Sequence, residues 1–134
     1  MNQKEGAAIV DLATRTKAFA LRIIRLFGAL PKKTEAQVLG KQLLDSGTSV
    51  GAHYREATRA RSTAQFVSKG QGGLAELEET AYWLELLAES GIIRASRLHD
   101  IQREAGELTA ILVTCANNAS KKDPKRKARR EVAS

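Results

Sequence analysis

The sequence predicts an all-α protein that folds as an antiparallel up-down-up-down four-helix bundle. Composition is the first reason, because aromatic residues make up 4% and only two of the 134 residues are proline. Ala, Leu, Glu, Lys and Arg dominate instead, and these residues favour helices over strands. The second reason is that apolar residues recur every three or four positions in four long segments. The third is that the connections between these segments are short.

The first predicted helix covers about residues 8–29, and Pro31 ends it because proline disfavours helical geometry in the residue before it. Its apolar face consists of Leu12, Phe19, Ile23, Leu26 and Leu30. Thr34 is predicted to open the second helix, with Gln37 three positions later completing a capping box. This helix extends to about Ala57. Its inner face carries Leu39, Leu43, Ser46, Val50, His53 and Ala57.

The third predicted helix covers about residues 63–89, and Ser62 opens it by repeating the capping-box spacing with Gln65. Its inner face consists of Phe66, Gly70, Leu74, Leu77, Ala81, Leu84 and Ala88. The glycines of the run 70–73 disfavour helix by roughly 1 kcal/mol each relative to alanine. A kink or local irregularity is therefore expected there, unless the glycines permit a close helix contact. Gly91 is predicted to stop the helix.

The fourth predicted helix begins near Ser96. Its inner seam alternates three- and four-residue steps through Leu98, Ile101, Ala105, Leu108, Leu112 and Cys115. Helices of roughly 22–27 residues would each be about 33–40 Å long. Such similar lengths, joined by short connections, are typical of an up-down bundle.

Charge divides the chain into a bundle of residues 1–119 and a basic tail of residues 120–134. The net charge is +7, and the tail contains seven basic and two acidic residues. The bundle itself is therefore only weakly basic. A strongly basic stretch of this kind is typical of disorder, and we expect the tail to be disordered.

No residue pattern predicts an active site, a cofactor or a bound metal. Di-metal centres in bundles need paired Glu-x-x-His motifs, whereas His53 precedes Glu56 in the reverse order and His99 has no glutamate three positions earlier. The single cysteine, Cys115, lies on an apolar seam, where it acts as a small hydrophobic residue. The glycine run 70–73 lacks the Lys-Ser/Thr of a phosphate-binding loop. We therefore expect a protein that is not an enzyme. A metalloenzyme is kept only as a third hypothesis, after the two binding functions given at the end of this section.

The sequence contains no uncharged apolar stretch near the ~20 residues that a membrane-spanning helix needs. Its most apolar stretch, residues 19–30, includes Arg22 and Arg25. The first residues are not followed by the apolar segment of a signal peptide. We expect a cytoplasmic protein with no membrane partner.

Two groups of basic residues are candidates for nucleic-acid binding. Arg55, Arg59, Arg61 and Lys69 surround the connection between the second and third helices. The tail contributes Lys121, Lys122, Lys125, Arg126, Lys127, Arg129 and Arg130. Arginine binds phosphate bidentately, and a flexible cationic strand gains affinity by counterion release. The alternatives are ion pairs between the first group and the glutamates of residues 76–89, and a tail that only increases solubility.

Five residues are candidates for an oligomer interface. Gly47 and Gly51 make a smooth stripe on which another helix can approach closely. Tyr54, Tyr82 and Trp83 are amphipathic aromatic residues of the kind enriched at interfaces. Both features have the alternative of serving the packing of the bundle itself.

The run of residues 42–57, QLLDSGTSVGAHYREA, resembles the second-helix signature of the bacterial four-helix bundle proteins, also called the 23S rRNA-intervening-sequence or S23 family. Arg59-Ala60-Arg61-Ser62, Phe66, Lys69, Leu77-Glu78-Glu79 and residues 83–87 (WLELL) are similar to its third helix and the preceding turn. The resemblance covers about residues 15–117. Two positions depart from the family pattern: His53 stands where asparagine is usual, and the glycine run 70–73 replaces apolar residues.

The resemblance implies a pentameric, barrel-like assembly of antiparallel four-helix bundles. It also implies a relation to the accessory protein of diversity-generating retroelements, which assists a reverse transcriptase and binds nucleic acid. No catalytic activity is established for the fold. The leading hypothesis is therefore a non-enzymatic homo-oligomer that binds RNA or DNA. The principal alternative is a protein-interaction subunit for a partner enzyme such as a reverse transcriptase, with no direct nucleic-acid role.

Overall fold

The computed structural model describes the backbone of residues 3–122 and the side chains of residues 12–122. Four α-helices fill this part of the chain: α1 (Gln3–Gly28), α2 (Thr34–Thr58), α3 (Thr63–Glu89) and α4 (His99–Lys121). A short 3-10 helix, Ala95–Arg97, precedes α4. The described residues contain no strand, which confirms the all-α prediction.

The two predicted capping boxes have different outcomes. Ser62 caps α3 as expected, because its Oγ accepts a hydrogen bond of 3.1 Å from the Gln65 amide. The Gln65 side chain reaches back one residue further than expected and accepts from the Arg61 amide at 3.0 Å. The box at Thr34 is wrong: the residue before α2 is Lys33, which makes no side-chain cap, and the Gln37 amide group donates to the Pro31 carbonyl at 2.8 Å.

The start of α4 also differs from the prediction. Residues 95–97 form the 3-10 helix, so α4 begins at His99 rather than near Ser96. The tighter 3-10 turn delivers Leu98 fully into the core, where it is inaccessible to solvent. Before it, the positive φ of 78° at Gly91 lets the chain turn back, and the Ile93 amide donates to the Leu87 carbonyl at 3.2 Å. This closes α3 as predicted.

All four helices contribute to one hydrophobic core. Its fully buried members are Leu12, Phe19, Ile23, Leu43, Val50, Leu77, Leu84, Leu87, Leu98 and Leu108. Among the helix pairs that contact each other, packing is most extensive between α2 and α3 and least extensive between α1 and α4. Arg15 of α1 spans the α1–α4 seam: its guanidinium pairs with Glu104 and, at 2.9 Å, with Glu107. Polar contacts therefore close the side of the bundle where apolar packing is thinnest.

The glycine run does not interrupt α3, which is continuous from Thr63 to Glu89. Gly72 and Gly73 face α2, where a Cβ on Gly72 would lie 3.0 Å from His53 Nδ1 and a Cβ on Gly73 would lie 3.6 Å from the Val50 carbonyl oxygen. The run therefore permits a close helix contact and causes no irregularity. The gain in packing between α2 and α3 compensates for the low helix propensity of glycine.

None of the helices in residues 3–122 combines the length and apolar character that crossing a membrane requires.

Candidate nucleic-acid interface

The connection between α2 and α3 is a short hydrogen-bonded turn. The Arg59 amide donates to the Glu56 carbonyl at 3.2 Å, and the Ala60 amide donates to the Ala57 carbonyl at 3.1 Å. The Ser62–Gln65 cap then starts α3 immediately. Both sides of the turn are thus tied to a helix end, which fixes the backbone from which the basic side chains project.

Three exposed arginines, which we call the arginine corner, lie at this connection: Arg55 in the last turn of α2, and Arg59 and Arg61 on the turn itself. Among residues 12–122, no carboxylate forms an ion pair with any of the three. The glutamates of α3 therefore do not neutralise them. The corner presents three cationic groups to solvent within seven residues of chain.

Lys69, the fourth candidate in this region, is different. Its Nζ lies 3.0 Å from Glu56 Oε2, and both side chains are about half exposed. The hydrogen bond and charge of Lys69 lower the pKa of the Glu56 carboxyl. Lys69 is therefore ion-paired, but its partner is Glu56 of α2 and not one of the glutamates of residues 76–89 that the alternative named. A phosphate would have to compete with Glu56 for this ammonium group.

The basic tail is described only at its beginning. Lys121 is the last residue of α4, Lys122 follows it, and both are exposed. The first basic residue of the tail thus belongs to α4, and the second is its C-cap. The other five candidates lie outside the described residues: Lys125, Arg126, Lys127, Arg129 and Arg130.

Three of the five interface candidates lie inside the bundle instead of on its outer surface. Gly47 faces Ile23, and Gly51 faces Thr16, so the helix that approaches the glycine stripe is α1 of the same chain. Tyr54 is only 4% exposed. Burial, followed by the nearby Cys115, raises the pKa of Tyr54 to about 12. For these residues the alternative of packing within the bundle is correct.

Tyr82 remains at the surface of α3, and Trp83 beside it is partly buried against the core. Tyr82 is 52% exposed, and the two ring centroids lie 5.2 Å apart at an interplanar angle of 56°. They border a shallow open groove together with three glutamates of the same helix: Glu76, Glu78 and Glu79. The indole Nε1 of Trp83 is buried without an acceptor within the described chain. We call this surface the acidic-aromatic face.

His53 joins α2 to this face. Its Nε2 lies 4.0 Å from Glu76 Oε1, while its Nδ1 is buried without a hydrogen-bond partner among the described residues. Burial and the neighbouring Glu79 raise the pKa of the Glu76 carboxyl. Sequence analysis identified His53 and the glycine run separately, but their contact depends on how α2 packs against α3.

Sequence analysis also missed a second arginine group. Arg22 and Arg25 of α1 and Arg97 of the 3-10 helix line one groove of about 220 Å³, together with Leu26, Leu98 and Ile101. Arg22 is half-buried, whereas Arg25 and Arg97 are exposed. The three-residue spacing of Arg22 and Arg25 was a usable signal, since it places both on adjacent turns of one helix side. Nothing local in the sequence connects them to Arg97.

Within the described residues, no three His, Cys, Asp or Glu side chains gather where they would hold a metal ion. The His53 imidazole lies 4.0 Å from the Glu76 carboxylate. Cys115 is partly buried on the side of α4 that packs against the core. The described surface is thus dominated by separate basic and acidic regions, with no clustered set of ligands.

Comparison with known proteins identifies the family. Residues 10–114 match the 23S rRNA-intervening sequence protein family. The fold is similar to the crystal structure of a protein with unknown function from the S23 ribosomal protein family of Bacteroides thetaiotaomicron VPI-5482. That comparison has a TM-score of 0.78 and 34% sequence identity, and it covers 82% of this chain and 98% of that chain. No protein of curated function matches. The chain, as its second-helix motif indicates, belongs to the 23S rRNA-intervening sequence protein family.

Proposed function

We propose that this protein is a non-catalytic, oligomeric scaffold that binds RNA or DNA through phosphate contacts of its basic surface. The arginine corner carries the proposal, because its three guanidinium groups are exposed and have no carboxylate partner within residues 12–122. Guanidinium binds phosphate oxygens bidentately, and each phosphate contact releases counterions from the nucleic acid. Membership of a family named after an intervening sequence of 23S rRNA supports the same partner class.

In this proposal the four helices run up, down, up and down, and copies of the chain assemble into a cytoplasmic, barrel-like homopentamer. The α1–α2 contacts support the antiparallel order: Phe27, late in α1, meets Gly40 early in α2, and Thr16, earlier in α1, meets Gly51 late in α2. Pentameric assembly is carried over from the family resemblance. Repetition of a weak phosphate site in five copies would raise the overall affinity for one strand.

The acidic-aromatic face supports the self-association part of the proposal. Its carboxylates repel phosphate, whereas the exposed Tyr82 ring beside Trp83 suits contact with protein. The same observation favours the second candidate function, an accessory subunit that docks a partner enzyme such as a reverse transcriptase and makes no direct nucleic-acid contact. The two functions predict different results with nucleic acid in the absence of a partner protein. Substitution of the arginine corner should weaken binding to a strand only if the chain binds nucleic acid directly.

The nucleic-acid function is tested by fluorescence anisotropy with labelled single- and double-stranded RNA and DNA, titrated between about 50 mM and about 200 mM salt. The full-length chain should bind at the lower concentration and weaken steeply as salt rises. The triple variant R55Q/R59Q/R61Q should lower the log–log salt slope by up to roughly three, because each lost phosphate contact contributes about 0.9. Removal of residues 120–134 should lower the slope further.

The matched control is K32Q/K33Q/K41Q, which removes three exposed positive charges elsewhere on the chain. If both triple variants lose affinity equally, binding follows net charge and the arginine corner has no special role. If no nucleic acid binds the full-length chain at about 50 mM salt, the nucleic-acid function is wrong.

Self-association is tested by light scattering coupled to size exclusion. The mass should be near five times the chain mass of 14.6 kDa. Tyr82→Ala should shift the population to smaller species, whereas Val38→Ala, which trims an equally exposed apolar residue of α2, should not. A monomeric full-length protein at micromolar concentration would contradict the scaffold proposal.

A further inference from the structure

The groove between α1 and the start of α4 brings three arginines together from two separate parts of the chain. Arg22 and Arg25 are three residues apart in α1, which places their Cβ atoms about 5–6 Å from each other. Arg97 approaches from the 3-10 helix, and the apolar side chains of Leu26, Leu98 and Ile101 form the rest of the wall. The groove, about 220 Å³, is large enough for a small anion and the group attached to it.

None of the three arginines has a carboxylate partner within residues 12–122. Arg15, on the same helix, shows the contrast, since it pairs with both Glu104 and Glu107. Asp100, on the first turn of α4, lies 3.8 Å from Arg103 and does not line the groove. Three like charges on a partly apolar wall repel one another and attract an anion more strongly than they would in open solvent.

The beginning of α4 adds to this field. Leu98 precedes the helix and has no side-chain acceptor, so no side chain caps the first-turn amides of this 23-residue helix. The helix dipole places a partial positive charge at this end. Leu98 and Ile101 belong to the groove wall, so the first turn of the helix borders the groove that the three arginines line.

We propose that this groove is a second anion site and that it binds a phosphate group through Arg22, Arg25 and Arg97. A terminal phosphate fits better than a carboxylate, because it offers more oxygens and a greater charge to three planar donor groups that each bind oxygens in pairs. An internal diester matches a carboxylate in charge and in its two free oxygens, and it too can be bound by a guanidinium pairwise. The phosphate is either the terminal monoester or an internal diester of a nucleic-acid strand. In that respect the inference rests on the proposed function.

The groove is separate from the arginine corner. The corner begins with Arg55 in the last turn of α2. By contrast, Phe27 and Ile23, which bracket Arg25 in α1, contact Gly40 near the start of α2 and Gly47 near its middle. A strand that contacts both sites would therefore run along the length of the bundle. Simultaneous binding at two separated sites would allow a bundle of low net charge to bind a nucleic-acid strand with useful affinity.

The test uses the full-length protein labelled with ¹⁵N and follows amide and arginine side-chain resonances as inorganic phosphate is added. Resonances of Leu98 to Ile101 and of the three arginines should shift together and saturate. R25Q and R97Q, which change exposed side chains, should each weaken phosphate binding by roughly 10-fold or more, as expected for loss of a charge-assisted hydrogen bond. R94Q, an exposed arginine outside the groove, should change the affinity less than twofold. Thermal melting checks that each variant remains folded.

Two oligonucleotides of one sequence, with and without a 5′-phosphate, distinguish the sources. Preference for the phosphorylated strand that disappears in R25Q and R97Q supports a terminal monoester, and equal binding that falls in both variants supports an internal diester. Either result supports the site.

The groove proposal would be overturned if no resonance shifted at about 10 mM inorganic phosphate, since the dissociation constant of a specific site should lie far below this concentration. Tighter binding of a glutamate-rich peptide than of phosphate would overturn it in favour of a protein partner. Loss of strand binding in the arginine-corner variant alone, with phosphate shifts intact, would leave the groove standing. Failure of the full-length chain to bind any strand would overturn the proposed function instead.

Discussion

Gly72 of α3 lies directly under the imidazole of His53 of α2, so that a Cβ on Gly72 would be 3.0 Å from Nδ1 and 3.1 Å from Cε1. The histidine of α2 and the glycine run of α3, which are 19 residues apart in sequence, thus contact each other. The imidazole ring is accommodated because the facing helix has no side chain there. His53 and Gly72 form one packing unit.

Alanine substitutions in the glycine run should therefore differ by position. Gly70→Ala should raise the free energy of unfolding by about 0.5–1 kcal/mol, because nothing lies near its Cβ position and alanine favours helix. Gly72→Ala should lose this gain, because the imidazole must move. Urea unfolding measures both, and the double variant H53A/G72A should recover the gain. Equal stabilisation by both single alanines would show that the contact is not tight.

Gly47→Ala should destabilise the bundle more strongly. Its Cβ would lie 2.8 Å from Ile23 Cγ1 and 2.9 Å from Cγ2, and Ile23 is a fully buried, branched side chain with little freedom to move. Overpacking of this kind costs about 1–3 kcal/mol. Thermal melting should show this loss. The control is Gly106→Ala in α4, where the added Cβ would have no neighbouring atom within 4 Å, and this variant should melt at or above the temperature of the unaltered protein.

The Arg15–Glu104 pair should stabilise the α1–α4 seam. Both side chains are largely shielded, at 25% and 18% exposure, and Arg15 Nε also donates to Glu104 Oε2 at 3.3 Å. Glu104→Gln should lower the free energy of unfolding by about 1 kcal/mol. This value lies between the typical contribution of an exposed ion pair and that of a hydrogen bond to a charged group. Asp100→Asn is the control, because its pair with Arg103 is exposed and 3.8 Å long. Equal effects of the two substitutions in chemical denaturation would contradict a role for the seam.

Tyr54 should make the protein sensitive to alkali. Its pKa is about 12 in the folded state and 10.0 in its unperturbed form, so folding disfavours the phenolate. Stability is therefore intact below pH 10 and falls as pH rises toward 12, by roughly 2–3 kcal/mol in total. Tyr54→Phe should remove this part of the alkaline loss. Tyr82→Phe, which changes an exposed ring, should retain it when denaturant midpoints are compared across this pH range.

The helices were predictable because their signals are local. Apolar periodicity places residues such as Phe19 and Leu84 in the core, and both are fully buried. The capping box at Thr34 failed because spacing alone does not show which acceptor is closer, and Gln37 bonds to the Pro31 carbonyl. The 3-10 helix at 95–97 has hydrogen bonds between residues three apart, whereas an α-helix has them between residues four apart. The apolar pattern of only three residues cannot distinguish these two spacings.

The surface was less predictable because it depends on contacts between distant residues. Gly47 was identified as a place for close helix approach, but only the fold shows that α1 occupies it. Arg25 and Arg97 meet at one groove although 71 residues of chain separate them. The arginine corner was the exception, since its members are neighbours in sequence at the end of α2 and on the short turn that follows.

The thin packing between α1 and α4 has a consequence for folding order. α2 and α3 are adjacent in sequence and pack most extensively, so a helical hairpin of these two elements closes a short loop and can form first. The Arg15–Glu104 contact joins residues 89 positions apart and is expected to form last. By the same reasoning the two terminal helices, α1 and α4, detach more easily than the central pair. Their amide hydrogens should therefore exchange with solvent before those of α2 and α3.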